Sequence, residues 1–440
     1  MRWQFFCIFA SRNKIPKYCD YKQYDMNRLI YLILLSLLFV SCKSRFVALE
    51  RNNYSTSDVA LIKYLDEKNI AITDSNSIEI LNGGKIKFEH LLKDIAQAKH
   101  HIHLEYFNFR NDSINAVVIE ALARAAERGV EVRALFDAFG NMSNNRPLKK
   151  EHLKKIREQG IEIVKFDPIN FPWINHAYHR DHRKIVVIDG KIGYTGGINV
   201  ADYYVDGLEG VGKWRDIHSR VEGAVVAQLQ NVFLAMWNRE TGQNIGGSEY
   251  YPTPSAKDDA RAAVVDRWPK RTAENMRRVY ANAIYAAKDS VHIINPYFIP
   301  TYIVRGAMRD ALKNGVHVEI MLSSKSDIPF TPDVALYTAY QLMKKGAVVY
   351  LYDGGFNHAK VMSVDGRFCT VGSANLNSRS LCYDYECNLF VFDKDDTEEL
   401  LTHYRNDRKE AFLLTKEYWK SRPWINRFYG WLGYVLTPFM

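Results

Sequence analysis

Two stretches of the chain carry the same chemically capable side chains at the same spacing. The first runs His182, Lys184, Asp189 and then Gly196-Gly197-Ile198-Asn199; the second runs His358, Lys360, Asp365 and then Gly372-Ser373-Ala374-Asn375. Both fit HxKx4Dx6G(G/S)xN. A lone histidine or lysine on a strand is usually a solvated or edge residue. A whole set that recurs with its spacing intact asks for a chemical reason. Side chains alternate along an extended chain, so His182 and Lys184 share one face while Asp189 points to the other. Asp-Gly at 189–190 and again at 365–366 is a preferred hairpin-turn pair. Folding back about a two-residue turn sets Gly197 across from His182 and Ser373 across from His358, and such small residues leave room for a ligand beside each ring. Asn199 and Asn375, two positions further on, return to that face and can donate amide hydrogens. One histidine, one lysine and one asparagine per copy suit an anionic tetrahedral ligand.

The elements that position these residues are repeated as well. IAQAKHHIHLEYFNF from Ile95 recurs loosely as IYAAKDSVHIINPYFIP from Ile284, and AVVIEALARAAERGVEVRALF from Ala116 matches IVRGAMRDALKNGVHVEIML from Ile303. In both, apolar residues keep helical spacing until a glycine, Gly129 or Gly315, after which a β-branched strand begins. Helix, strand, helix, strand implies parallel strands joined by crossover helices. The fold class expected is α/β, with two similar α/β/α layered halves related by a pseudo-twofold axis, each with a central mixed sheet flanked by helices. The halves are expected at 46–245 and 272–415, joined by a linker at 246–271 whose start is rich in glycine, serine and proline. Since each half supplies one histidine, the site belongs between them, and either half alone should be inert.

Hydrophobic residues at 47% and charged residues at 25% exclude a wholly disordered, collagenous or polytopic membrane chain. A net charge of +9 favours anionic partners. The six cysteines include no CxxC pair, which leaves no basis for a zinc ribbon or a dithiol site. Cys382 and Cys387 read as small buried side chains. His176, His179 and His182 recur every third residue, but strand alternation scatters them and Lys184 repels a cation, so no metal is expected. His100, His101 and His103 read as a helix end and strand start.

The two ends differ from the rest. From Met26, a short basic start precedes an apolar run, Leu29 to Val40, and then Ser41 and Cys42. That layout is a signal peptide with a lipoprotein-like box that would leave Cys42 lipidated; an uncleaved membrane anchor and a buried segment are the other readings of residues 1–45. At the C-terminal end, 416–440, Trp424, Phe428, Trp431 and Val435 fall at helical spacing near Lys420, Arg422 and Arg427. This pattern fits an amphipathic helix seated on an anionic membrane, or a stripe packed onto the second half.

The duplicated motif resembles the HKD signature of the phospholipase D superfamily, over about Ile86 to Phe412. HRDHRKIVVIDGKIGYTGGINVADYY, WRDIHSRVEGAVVAQLQNVFLAMW, NPYFIP and NHAKVMSVDGRFCTVGSANLNSRS resemble its cardiolipin synthase branch. Asn377 departs from that pattern, where aspartate is common, and is not expected to touch the chemistry. The resemblance implies a catalytic set of His182, Lys184, Asp189, His358, Lys360 and Asp365, although strand alternation points the two aspartates away from the histidines, to fix the hairpins or to pair internally with a nearby cation. It implies a phosphohistidine on one histidine, by resemblance His182, and proton transfer by the other, His358. Lys184, Lys360, Asn199 and Asn375 would bind nonbridging oxygens, with Gly197 and Ser373 beside them. Asp216 and Glu386, each one connection after its motif, resemble the supporting acids. No cofactor is implied. The implied activity is a phosphatidyltransferase acting on phosphatidylglycerol or a similar phospholipid at a bacterial cell membrane, with no nucleic acid partner. The alternative is a phospholipase D-type phosphodiesterase that hydrolyses phospholipid or nucleic acid. The oligomeric state is left open.

Overall fold

The computed structural model describes residues 53–168, 178–328 and 331–437. The N-terminal run with Cys42 and residues 169–177, His176 among them, lie outside the described residues. The first half contains β1 (Thr73–Asn82), β2 (His101–Tyr106), β3 (Glu131–Asp137), β4 (Ile161–Phe166), β5 (Lys184–Ile188), β6 (Ile192–Gly196), β7 (Trp214–Arg215) and β8 (Ile217–Gly223). The second contains β9 (Ala260–Arg267), β10 (Ser290–Ile294), β11 (His317–Ser323), β12 (Val348–Tyr352), β13 (Phe356–Asn357), β14 (Val361–Val364), β15 (Phe368–Gly372), β16 (Glu386–Phe392) and β17 (Ala411–Leu413).

The repeat in sequence is a repeat in topology. In the first half β2, β3 and β4 run parallel, with crossover helices Ser113–Glu127 and Lys150–Glu158, and β5 adds antiparallel to β2. The second half repeats this with β10, β11 and β12, crossover helices Tyr302–Lys313 and Thr331–Met343, and β14 antiparallel to β10. The helix Ser113–Glu127 starts where the Asp112 side chain accepts from Asn115 N–H and gives way to a strand at Gly129, whose φ is 88°. One 15-stranded sheet results, in the order β17-β12-β11-β10-β14-β15-β16-β9-β1-β8-β6-β5-β2-β3-β4. It folds upon itself about the β9–β1 seam, so that β6 packs against β15 and β16. A shared core containing Ile185, Val187 and Val221 from one half and Val361, Val371 and Leu389 from the other fills the fold.

Two expectations are corrected here. The segment 246–271 is more than a linker: β9 lies within it and pairs with β1 and with β16. Its alternating apolar residues, Ala262 and Val264 among them, are buried because the seam between the halves needs a strand from each side. The hairpin register also differs by one residue. Asp189 and Gly190, like Asp365 and Gly366, adopt the left-handed turn that Asp-Gly favours, with φ of 53° and 64°, and 53° and 60°. Lys191 N–H closes the turn on the Ile188 carbonyl, yet the ladder begins only at Ile188↔Ile192, and at Val364↔Phe368 in the second copy. The extra loop residue moves Gly197 and Ser373 one place from the positions predicted for them.

The C-terminal helix Trp424–Val435 packs through Gly430 and Gly433 against the helix Thr331–Met343. A Cβ on Gly430 would stand 2.6 Å from the Asp333 carbonyl oxygen, and one on Gly433 2.3 Å from a Val334 methyl. The glycines permit this close approach, and the opposite face is left to solvent. Trp424 is 70% exposed, and Phe428, Trp431 and Val435 are exposed beside it. Among the described residues, no helix is long and apolar enough to cross a membrane.

Candidate active site

The segments that enter the two motifs are paired crosswise. β13 of the second half runs parallel to β7 of the first, with Phe356 opposite Trp214 and Asn357 opposite Arg215. The reciprocal bridge joins Asp181 to Tyr385. Backbone hydrogen bonds extend both pairings: His358 N–H donates to the Arg215 carbonyl at 2.6 Å, and His182 N–H to the Tyr385 carbonyl at 3.0 Å. The residue following each carbonyl is an acid. Asp216 therefore comes to His358, with Nδ1 and Oδ2 at 2.7 Å, and Glu386 comes to His182, with Nδ1 and Oε1 at 3.0 Å. Counting along the chain attached each acid to the motif of its own half. The fold exchanges them, because the parallel pairing brings the strand entering one motif beside the strand carrying the other half's acid.

Gly197 and Ser373 serve these acids. A Cβ at Gly197 would lie 2.2 Å from Asp216 Oδ1, so the absent side chain makes room for a carboxylate, where the hairpin reading reserved room for ligand. At the equivalent place Ser373 Oγ donates to Glu386 Oε2. Asp216 Oδ1 instead accepts the N–H of its neighbour Ile217 at 2.8 Å.

Lys184 and Lys360 are buried behind the rings. Lys184 Nζ donates to the His182 carbonyl at 2.5 Å; Lys360 Nζ donates to the His358 carbonyl and lies 2.9 Å from His358 Nδ1. Burial pushes Lys184 down to about 7 and Lys360 to about 8, against the pull of Glu386 and Asp216. Burial, reinforced by Lys184, brings His182 down to about 4, with Glu386 opposing. Burial and Lys360 lower His358 as well, with Asp216 opposing. Burial alone would raise Glu386, but His182, Lys184 and the Ser373 hydroxyl bring it down to about 2. Near neutral pH the acid is thus a carboxylate and both rings are neutral. Each Nδ1–H is turned to its acid, and each Nε2, which makes no hydrogen bond among the described residues, is left with a free lone pair.

His182 and His358 line one cavity of about 560 Å³, together with Asn199 and Asn375. The Oδ1 atoms of both asparagines are buried without partners among the described residues, while Asn199 Nδ2 donates to Tyr204 Oη at 3.0 Å. Aromatic side chains build much of the wall. Phe107 meets the His182 ring edge at a centroid distance of 5.1 Å; Trp214, Phe356, Tyr297 and Tyr204 surround His358 at 5.3, 5.6, 6.0 and 6.2 Å. Tyr297 donates to Asp327 at 2.6 Å, which puts a carboxylate on the rim. Motif spacing could not find these residues. Tyr204 and Trp214 stand in the conspicuous segments ADYY and WRD but have no repeated partner; Tyr297 stands in the loosely repeated stretch ending NPYFIP, whose spacing marks no role for it; Asp327 has no signal at all. Asn377 also lines the cavity, where its side chain accepts the Ser380 N–H and caps the helix Ser378–Cys382.

Asp189 and Asp365 are not brought to this cavity. They stand at the far ends of β5 and β14, where each carboxylate accepts three successive backbone N–H groups: those of Lys99, His100 and His101, and those of Lys288, Asp289 and Ser290. They tie the hairpin tips to the starts of β2 and β10, a strand's length from the histidines, in turns past the strand ends where alternation no longer applies. His101 and His103 are buried in β2, and His179 Nδ1 contacts the Tyr383 carbonyl at 2.7 Å.

Comparison with known proteins agrees with this duplicated architecture. The family model described as "Cardiolipin synthase, PLD-like domain" matches residues 91–237 and again 280–408. The chain is 34% identical over 404 residues to a cardiolipin synthase of Oceanobacillus iheyensis, covering 90% of this chain and 83% of the relative. It is 35% identical over 394 residues to the major cardiolipin synthase ClsA of Bacillus subtilis, covering 88% and 81%. Among solved structures, a phosphatidylserine synthase of Haemophilus influenzae shares the fold, with a TM-score of 0.63 and 15% identity over 82% of this chain and 92% of that one. The matched model embraces both histidine motifs, and the alignments run through nearly the whole chain: the protein belongs to the cardiolipin synthase family of the phospholipase D-like fold.

Proposed function

We propose that the chain is a phosphatidyltransferase that makes cardiolipin by moving a phosphatidyl group onto phosphatidylglycerol through a phosphohistidine. The observation that carries this reading is the pair of histidines, one from each half, that line a single cavity with each Nδ1 held by a carboxylate. His182 Nε2 attacks phosphorus while His358 protonates the departing alkoxide. The covalent phosphatidyl-histidine is then attacked by the hydroxyl of a phosphatidylglycerol, whose proton returns to His358. With phosphatidylglycerol as donor, two lipids give one cardiolipin and one glycerol. Lys360, and Lys184 once an anionic ligand raises its proton affinity, act as positive charges behind the rings, offsetting the charge of the trigonal-bipyramidal phosphorus. An anionic ligand entering the cavity restores the proton affinity that burial takes from the rings, which lets His358 carry its proton.

The aromatic wall suits the glycerol backbone and acyl carbons of a lipid. The exposed stripe of the C-terminal helix, with Lys420 and Arg427 nearby, gives the enzyme a face for an anionic membrane. Incubation of membranes with labelled phosphatidylglycerol tests the reaction. Wild type is expected to yield cardiolipin and glycerol, and His182→Ala and His358→Ala neither. Phosphatidic acid as the sole labelled product would make the enzyme a hydrolase. Full activity in both variants would remove the histidines from the mechanism.

A further inference from the structure

A second cavity, of about 340 Å³, shares no lining residue with the catalytic one and backs onto the same short helix, Ser378–Cys382. It opens at the N-terminus of the 12-residue helix Tyr302–Lys313, where backbone amides and the helix dipole favour an anion. Thr301 stands in the N-cap position but makes no capping bond; it is 5% exposed, lines the cavity, and its Oγ1 is buried without a partner among the described residues. Arg305, in the same turn, lies over the Tyr434 ring at 4.4 Å with its Nη1 buried and unbonded. No carboxylate pairs with Arg305 among the described residues. Arg277 supplies a second guanidinium, bonded to Glu274 and 3.5 Å from Cys382 Sγ, with its Nε unbonded. Among the described residues Glu274 is the only acid in the wall, and it is shared with Arg278 at 3.0 Å.

Arg305 is half-buried, and its Nη1 is shut from solvent without a counterion; such a group is costly, and here the missing counterion has a cavity to occupy. We propose that this cavity is an accessory anion site, distinct from the reacting phosphorus, that takes the phosphate of an anionic phospholipid headgroup. Inorganic phosphate shares that chemistry. The lipid is favoured because the cavity is walled by Thr437 and by Arg305, which stacks on Tyr434, at the end of the helix whose aromatic stripe faces outward. Filling it would link a bound headgroup to the seating of that helix.

Equilibrium dialysis of the full chain in uncharged detergent, with radiolabelled inorganic phosphate, separates the two sites. Wild type is expected to bind two phosphates per chain, one of them lost in the His182→Ala/His358→Ala double variant. Arg305→Gln should weaken the other at least about tenfold, as expected for a lost charge-assisted hydrogen bond, while Arg305→Lys retains it. Thr301→Val, which removes only the hydroxyl, is expected to weaken it about threefold to tenfold and gives a second reading if Arg305→Gln fails to fold. Dihexanoyl phosphatidylglycerol should displace phosphate from the Arg305-dependent site. Two-site binding unchanged in Arg305→Gln or, where that variant does not fold, in Thr301→Val overturns the proposal, whereas phosphate that the short-chain lipid cannot displace overturns the lipid assignment. Neither result bears on the histidine chemistry, which is read by the double variant.

Discussion

The two histidine arms grow from one repeated motif and end in unequal surroundings. On one arm His182, 15% exposed, touches Phe107 and is held by Glu386, which Ser373 also bonds. On the other, His358, 8% exposed, stands among Trp214, Tyr204, Tyr297 and Phe356 and is held by Asp216, which fits only because position 197 lacks a side chain. A longer acid with a serine and a shorter acid with a glycine are two solutions to the same packing problem. The comparison teaches that duplication supplies two equivalent backbones, while the residues filling each copy set the proton affinity of each ring. Two rings with one task each need that difference.

The largest test orders the two roles. With an aryl phosphodiester, whose leaving group needs no proton, His358→Ala is expected to regain most of an about 10²- to 10⁴-fold loss, as expected when a general acid is no longer needed. His182→Ala should remain inactive, because no leaving group replaces a nucleophile. Exchanged behaviour would exchange the roles. Next in size is the acid pocket. Gly197→Ser places a Cβ on Asp216 Oδ1 and is expected to cost about 100-fold or more in kcat, whereas Ser373→Gly removes one hydrogen bond to Glu386 and should cost about tenfold. Equal losses would show that the two acid pockets tolerate change alike.

Acid stability sharpens the same contrast. His182 at about 4 lies below its ordinary 6.5, so the fold favours the neutral ring: this contribution is full above pH 6.5 and declines as the pH falls toward 4. Glu386 at about 2 lies below its ordinary 4.5, and its contribution is lost from pH 4.5 down to 2. Melting temperatures should therefore drop in two stages on acidification, and His182→Asn should make the upper one shallower, because the buried His101, His103, His218 and His358, also lowered, still contribute to it. The smallest effect belongs to the hairpin tips. Asp189→Ala or Asp365→Ala should lower stability by about 1 kcal/mol, seen as a fall in Tm, while kcat is kept.

Much of the site was legible because the chemistry is duplicated. Periodicity showed the parallel strands and their crossover helices, and the Asp-Gly turns were read from residue type. Asp189 stands away from His182, as alternation suggested, but because it sits in the turn past the end of β5. The register slipped because a turn dipeptide does not say whether the next residue joins the ladder, and Lys191 and Arg367 do not. β9 was read as linker because glycine and proline upstream mark a loop, while pairing with β1 depends on a strand far away in sequence. Tyr297 and Asp327 carry no spacing signal, since a cavity wall is assembled from whichever elements end there.

By itself the sequence determined that two copies of a histidine-lysine-asparagine set exist, on which elements they stand, and that anionic phosphate chemistry suits them. These are consequences of residue type and local spacing, which act within a few residues. Only the tertiary structure decided which acid serves which histidine, what Gly197 makes room for, and which aromatic groups surround each ring. Those choices depend on contacts between the halves, where Asn357 meets Arg215 and Asp181 meets Tyr385. No local pattern encodes a partner that chain folding alone brings near.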